Sequence, residues 1–314
     1  MRINRLIAAP MLLLSVALLA SGCSSGTPAG TKPGGGSFNS GNATYDAIIN
    51  GGAVADQATI DANQWAKAIK AAGVLKVGGT KTSNLFSMLN PTTNVVTGFD
   101  AGLSQLLARY IIGDAKTELT QVTVDTRETL ASQHQVDLVI ATYSITATRM
   151  QQINFAGPYY QSQAAVLVQA GNTTIKSVDD LAGKQVATQA NSTGVTLLQQ
   201  YAPAATIVPL PDHAQCLTAL QQGRVDAYVI DQTLLMNALV SNKDVKIVGD
   251  PFGPVDAYGI GVAKDKDAKA FIDAWLTKIE ADGTWLNLWK ATIGAMTGET
   301  NAPTPPAINS ANNG

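Results

Sequence analysis

Between Leu75 and Asp231, short apolar runs alternate with stretches whose apolar residues recur every three or four positions. Short apolar runs bounded by turn residues read as buried strands, and the longer period reads as amphipathic helix. Strands are expected at residues 75–77, 119–124, 138–140, 165–168, 185–188, 207–210 and 227–231. Helices are expected at residues 61–72, 99–112, 126–135, 193–201 and 214–222, with another starting at Ser177. Alternation of this kind predicts an α/β fold built on a largely parallel sheet. A chain of 314 residues is long enough for one large domain or two lobes.

Composition narrows the function. Lys and Arg number 21 against 23 Asp and Glu, a net charge of −2, and a nucleic-acid surface would be strongly basic. The chain has 2 cysteines and 2 histidines, so neither a disulfide framework nor a zinc site is expected. No metal or other cofactor is expected. His134 and His213 both read as surface positions.

One stretch concentrates the polar chemistry. Residues 136–160 read VDLVIATYSITATRMQQINFAGPYY. The apolar run of Leu138, Val139 and Ile140 ends in Thr142, Ser144 and Thr146, and Arg149 follows. Open α/β sheets bind ligands outside the carboxyl ends of their strands. A guanidinium there matches a carboxylate bidentately. The alternative is a surface arginine paired with a nearby acid.

This stretch resembles the extracellular solute-binding proteins of polar amino acid ABC importers, which share the pattern VDLVIATxxITxxRxxxxxFxxPYY. Further motifs lie in register over roughly residues 72–298: Leu75-Lys76-Val77-Gly78, Gly98-Phe99-Asp100, the run from Ser177 to Lys184, Gly223-Arg224-Val225-Asp226-Ala227, Tyr258-Gly259-Ile260-Gly261-Val262 and Asp282-Gly283-Thr284-Trp285. Within the family the likeness is to the glutamate/glutamine-binding lipoproteins of Gram-positive bacteria. The resemblance implies a two-lobed, periplasmic-binding-protein-like fold. Its ligand cleft lies between the lobes, and two chain crossings form a hinge that closes around the ligand.

The resemblance also implies site roles. Arg149 grips the ligand carboxylate, with Thr142 and Ser144 adding hydrogen bonds. Asn191-Ser192-Thr193-Gly194 leads into a helix whose N-terminus offers N–H groups to the same carboxylate; Ser192 and Thr193 would also serve as simple N-caps. Asn191 stands where the family often has glycine. Asp231, after the apolar strand of Tyr228, Val229 and Ile230, takes the ammonium, although a strand-end aspartate is otherwise a common helix cap. Lys81 is a candidate cation for a side-chain carboxylate, or else a solvated loop lysine. Thr80 and Phe86 are expected to line the pocket. Arg127 is another possible cation, unless it pairs with Asp125 or Glu128. Some relatives pair a cysteine at position 216 with one at position 187; here Ala187 stands opposite Cys216, so Cys216 is expected to be a free buried thiol.

The ends read differently. Arg2 and Arg5 precede an apolar run from Ile7 to Leu19 that is too short to span a bilayer comfortably. Leu19-Ala20-Ser21-Gly22-Cys23 looks like a lipobox, although Ala20 stands where leucine is usual; an ordinary secretory signal is the alternative. The expected organisation is a lipoprotein signal peptide over 1–22, a flexible Gly/Ser-rich tether over 23–44, an N-terminal extension and the first lobe over 45–162, the second lobe over 163–254, a return to the first lobe over 255–298 and a disordered tail over 299–314. Trp275, Ile279, Trp285 and Trp289 are expected on the final helix.

The expected function is to bind glutamate, glutamine, aspartate or asparagine outside the cell and deliver it to ABC permease subunits. The expected state is a monomer held by lipid on Cys23 at the outer face of the cytoplasmic membrane. A lipoprotein sensor signalling to a membrane partner would use the same binding chemistry. A dehydratase-like enzyme on this fold would need a general acid or base in the cleft.

Overall fold

The computed structural model describes residues 37–313. The expected signal peptide and Cys23 lie outside them, as does the tether up to residue 36. Three helices open the described chain: α1 (Ala43–Gly51), α2 (Gln57–Asp61) and α3 (Gln64–Ala72). Asn63, whose side chain accepts from the Ala66 N–H, starts α3, so the helix expected over 61–72 begins at Gln64. The last residues of the expected tether are ordered. Asn50 takes both the N–H and the C=O of Phe38, at 2.9 and 2.8 Å. The Phe38 ring lies 6.1 Å from that of Tyr45.

The first lobe continues through β1 (Leu75–Gly79) and a small antiparallel sheet of β2 (Thr82–Ser83), β3 (Ser87–Leu89) and β4 (Val96–Thr97). Then come α4 (Phe99–Ile112), β5 (Thr117–Gln121), α5 (Arg127–Ser132), β6 (Leu138–Val139) and the single turn α6 (Ala147–Met150). A long strand, β7 (Asn154–Gln169), leaves this lobe. The second lobe holds a 3-10 turn at Val178–Leu181, β8 (Gln185–Gln189), α7 (Thr193–Tyr201), β9 (Thr206–Leu210), α8 (His213–Gln221), β10 (Ala227–Asp231) and α9 (Gln232–Ser241). The chain returns along β11 (Val245–Val262) to α10 (Ala268–Ala281), α11 (Thr284–Trp289), a π-turn and α12 (Ala295–Thr297). Gly283, at φ +81, divides the expected final helix between α10 and α11.

The large sheet has the order β5-β1-β6-β11-β7-β10-β8-β9. Each end is parallel: β1 with β5 and β6, β8 with β9 and β10. Between them β7 and β11 run antiparallel, from Asn154 opposite Val262 to Gln169 opposite Val245. These two strands are the crossings, and the strand expected at 165–168 is the far half of β7. Their register shifts between Val248 and Phe252, Phe252 and Asp256, and Tyr258 and Ile260. Such bulges bend and twist a strand pair.

The cores follow from strand alternation. On β10, Tyr228 and Ile230 pack with Cys216, Leu220 and Leu235 on one face, while Ala227 and Val229 pack with Val186 and Leu198 on the other. A strand covered on both faces reads as an unbroken apolar run. In the first lobe Trp275, Trp285, Trp289, Phe99 and Tyr159 form one core, and Trp285 Nε1 donates to the Tyr159 carbonyl at 3.0 Å. Met236 and Val240 of α9 also pack on that first-lobe core. The tail expected to be disordered lies against the same lobe. Ala302 and Ile308 pack on its core, and the Asn309 N–H donates to the Gly157 carbonyl at 2.8 Å. Two apolar anchors with no helical or strand period hold it, which is why no periodicity announced it.

Candidate ligand-binding site

The lobes meet over a cavity of about 80 Å³ lined from both sides. From the first lobe come Thr80, Phe86, Asp100, Arg127, Thr142, Ser144 and Arg149; from the second come Gln189, Ser192, Thr193, His213 and Asp231. Among the residues expected to bind ligand, Lys81 and Asn191 do not line this cavity. The Lys81 carbonyl accepts from the Leu89 N–H at the edge of the small sheet. Thr80 is turned by a reciprocal contact with Ser87, whose hydroxyl donates to the Thr80 carbonyl at 2.6 Å. Phe86 sits edge-on to Tyr160 at 5.9 Å. Gly98 makes room for it: at φ +127, a Cβ there would meet the Phe86 carbonyl carbon at 2.4 Å.

Arg149 is 9 % exposed. The Thr146 hydroxyl caps its short helix by accepting the Arg149 N–H at 3.3 Å. The guanidinium donates from Nη1 to the Ser144 carbonyl at 2.9 Å and from Nη2 to the Asn191 carbonyl of the other lobe at 3.4 Å. Its Nε lies 3.6 Å from Glu128 Oε1. Arg149 thus has an acid partner, but the arginine is buried at the cleft and not on the surface.

Arg127 is the second cation at the cavity. Its guanidinium lies 3.7 Å above the Tyr143 ring, a favourable cation–π distance, and its Nε has no hydrogen-bond partner. Burial and the neighbouring Arg149 charge push its pKa down to about 10. It makes no ion pair with Asp125 or Glu128: Glu128 goes to Arg149, and Asp125 accepts from Asn191 Nδ2 at 2.6 Å.

Carboxyls face the guanidinia. Asp231 is 4 % exposed, and its Oδ2 accepts from the Tyr258 hydroxyl at 2.8 Å. Tyr258 is shared with Thr233 at 2.8 Å. Burial, then repulsion from Asp256, pushes Asp231 up to about 7, against the opposing pull of the Tyr258 hydrogen bond and of Arg149 and Arg127. Asp256 is raised as well, mainly by burial, and accepts from the Thr193 hydroxyl at 3.1 Å. Asp100 opens α4 and accepts the Thr142 N–H at 2.9 Å, holding Thr142 at φ +43. Burial pushes Asp100 up to about 7. Tyr159 lies close enough to oppose that shift, yet neither Asp100 Oδ1 nor the Tyr159 hydroxyl makes a bond of good geometry.

On the second lobe, α7 begins at the cavity. Ser192 does not cap it; its hydroxyl donates back to the Gln189 carbonyl at 2.7 Å. The first-turn N–H groups therefore lack a side-chain cap, as an anion site requires. Gly194 lets this helix end press on β8, since a Cβ there would stand 2.2 Å from Thr188 Oγ1. His213 is not the surface residue expected. Its Nδ1 is 3.1 Å from the Tyr228 hydroxyl and its Nε2 is buried without a partner. Burial pushes the imidazole down to about 4, so it is neutral at pH 7. His134 is exposed and 3.1 Å from Asp265, as a surface residue should be.

Sequence reasoning left Asp100, His213 and Asp256 out of the site. Asp256 had one usable signal, since it stands two residues before Tyr258 on a strand and so shares its face. Asp100 lay within a motif that the family resemblance had already drawn out.

A guanidinium on one lobe, a carboxyl on the other and two crossing strands between them place this chain among two-lobed binding proteins. The chain belongs to the bacterial extracellular solute-binding proteins, family 3, which it matches over residues 75–294. It is 33% identical to the ABC transporter glutamine-binding protein GlnH of Bacillus subtilis over 69% of this chain and 80% of that one. It is 30% identical to the glutamate-binding protein GluB of Corynebacterium glutamicum over 71% and 79%. Among solved structures, an ancestral arginine-binding protein bound to glutamine matches with a TM-score of 0.64 and 31% identity, covering 71% of this chain and 98% of that one. The cysteine-binding protein from Campylobacter jejuni shares the fold, with a TM-score of 0.71 at 24% identity over 76% and 96%. Among the described residues no helix is long and apolar enough to cross a membrane.

Proposed function

We propose that the protein binds a polar amino acid outside the cell and delivers it to the permease of an ABC transporter, without transforming it. The observation that carries this reading is the placement of Arg149 and Asp231, buried on opposite lobes of one cavity. A zwitterion bridging them pairs its carboxylate with Arg149 and the N-terminus of α7, and its ammonium with Asp231. Such a ligand contacts both lobes only when they are closed, and differential contact is what drives closure. Thr142, Ser144, Ser192 and Thr193 supply hydrogen bonds around the carboxylate, and Thr80 and Phe86 form the wall beyond it. Glutamate, glutamine, aspartate and asparagine are the candidate ligands. Arg127 lines the cavity and Lys81 does not, which favours Arg127 as the partner of an acidic side chain.

A thermal-shift screen of the mature protein against the common amino acids tests the reading. Binding the native state alone at a hundredfold excess over Kd stabilises by about 2.7 kcal/mol. A shift confined to polar amino acids is expected, with the ligand recovered unchanged; no shift with any of them overturns the proposal. We propose further that Cys23 carries a diacylglyceryl anchor, because small residues precede it and a Gly/Ser-rich run follows it. Two acyl chains hold a protein stably at a membrane. Mass spectrometry of the membrane fraction should find the mature chain starting at modified Cys23; an unmodified Cys23 excludes the anchor.

A further inference from the structure

Beside the ligand cavity lies an open groove of about 1,090 Å³ lined by Asp125, Glu128, Asn191 and Asp256 among others. Val124, Arg149, Ser192 and Thr193 line both, so only a thin wall of side chains divides them. Asn191 belongs to the second lobe and sits at φ +57, a left-handed conformation that asparagine tolerates better than most residues. In that conformation its side chain reaches across to Asp125 Oδ1 at 2.6 Å. Its carbonyl accepts from Arg149 Nη2 at 3.4 Å. Both partners are on the first lobe.

The opposite rim is built otherwise. There Asn84 Nδ2 donates to Ser241 Oγ at 2.7 Å, and the Leu85 N–H to Asn237 Oδ1 at 3.0 Å. Met236 and Val240 add apolar packing against the first-lobe core. One rim is thus held by packing as well as hydrogen bonds, and the Asn191 rim by polar contacts facing water.

We propose that the groove is the ligand's route and that the Asn191–Asp125 hydrogen bond is its gate, setting the dissociation rate without touching the ligand. This rests on the ligand-binding reading of the same cavity. The gate acts on opening and not on recognition, so its loss affects every bound amino acid equally.

Stopped-flow kinetics on the full-length protein test it with Asn191→Gly, which keeps the left-handed backbone, and Asp125→Ala. Each should raise the dissociation rate of glutamate and of glutamine by the same factor, about threefold to tenfold on the scale of one ordinary solvent-exposed hydrogen bond. The double variant should match either single one, and Ser241→Ala on the other rim should stay within twofold of wild type. Additive single effects, a change under twofold in Asn191→Gly, or an equal effect of Ser241→Ala overturns the gate. A second arm needs no ligand. Without any amino acid present, Asp125→Ala on the first lobe should speed hydrogen exchange at the Thr193–Val195 amides of the second. Unchanged exchange there refutes the gate even if no amino acid binds, whereas faster exchange with no binding refutes the ligand reading alone.

Discussion

Replacing Asp231 with asparagine should make the protein more stable and less able to bind. The carboxyl is 4 % exposed and held at about 7, against roughly 3.9 in an unfolded chain. A folded-state pKa raised in this way means that ionisation opposes folding. The associated stability is fully present below about pH 4 and is lost as pH rises through about 7. Three units at about 1.36 kcal/mol each set an upper bound of about 4 kcal/mol at pH 8. Asp231→Asn has no charge to bury and can still accept from Tyr258, but its amide must find an acceptor. The expected net gain is about 1–3 kcal/mol, a rise of several degrees in Tm that shrinks toward pH 4. Affinity should move the other way. An ammonium left without its buried carboxylate costs about 2–5 kcal/mol, roughly 1.5 to 3.5 decades in Kd. Thermal unfolding of the ligand-free proteins at pH 8 and pH 5, with calorimetric titration of glutamate and glutamine, reads both quantities. A variant less stable than wild type at pH 8, or one that binds within threefold of wild type, would refute the reasoning.

Arg149→Ala should stay folded and lose about 1.5 to 3.5 decades of affinity for every ligand, as calorimetry would read; binding within threefold of wild type removes Arg149 from the site. Arg127→Met should weaken glutamate or aspartate about tenfold more than their amides, while Lys81→Met should leave both within threefold, and competition binding separates the two variants. Cys216 lies fully buried beside Ala187 in the second-lobe core, and burial pushes its thiol up to about 12. Thiol labelling of Cys216, followed by peptide mapping, should be slow in the native protein even at pH 9 and fast in denaturant; rapid native labelling would contradict that packing.

Local order was legible wherever one run of residues carried the whole signal. The helix Phe99–Ile112 and the strand Ala227–Asp231 have the bounds their patterns predict, because burial on both faces of a strand and on the stripe of a helix is written in consecutive residues. Asp231 ends an apolar strand and Arg149 follows one across a polar loop, and both line the cavity between the lobes. The break of the last helix at Gly283, at φ +81, was missed, because the spacing of Trp275, Ile279, Trp285 and Trp289 runs across it.

Other features were decided between segments far apart in the chain. Lys81 and Arg127 both stand just beyond a strand, and nothing in either neighbourhood says which faces the cavity; the small sheet of β2, β3 and β4 leaves Lys81 outside, while Tyr143 seats Arg127 within. The pKa of Asp231 depends on Asp256 and Tyr258, which arrive on the returning strand. The groove wall at Asn191 needs Asp125, contributed by the other lobe. What the amino-acid sequence determined by itself is the set of strands and helices and the residues that end them, since those rest on short-range sterics and local burial. What only the tertiary structure decided is which strand ends face one another, because charge, desolvation and hydrogen bonding act through distances in space that chain position does not encode.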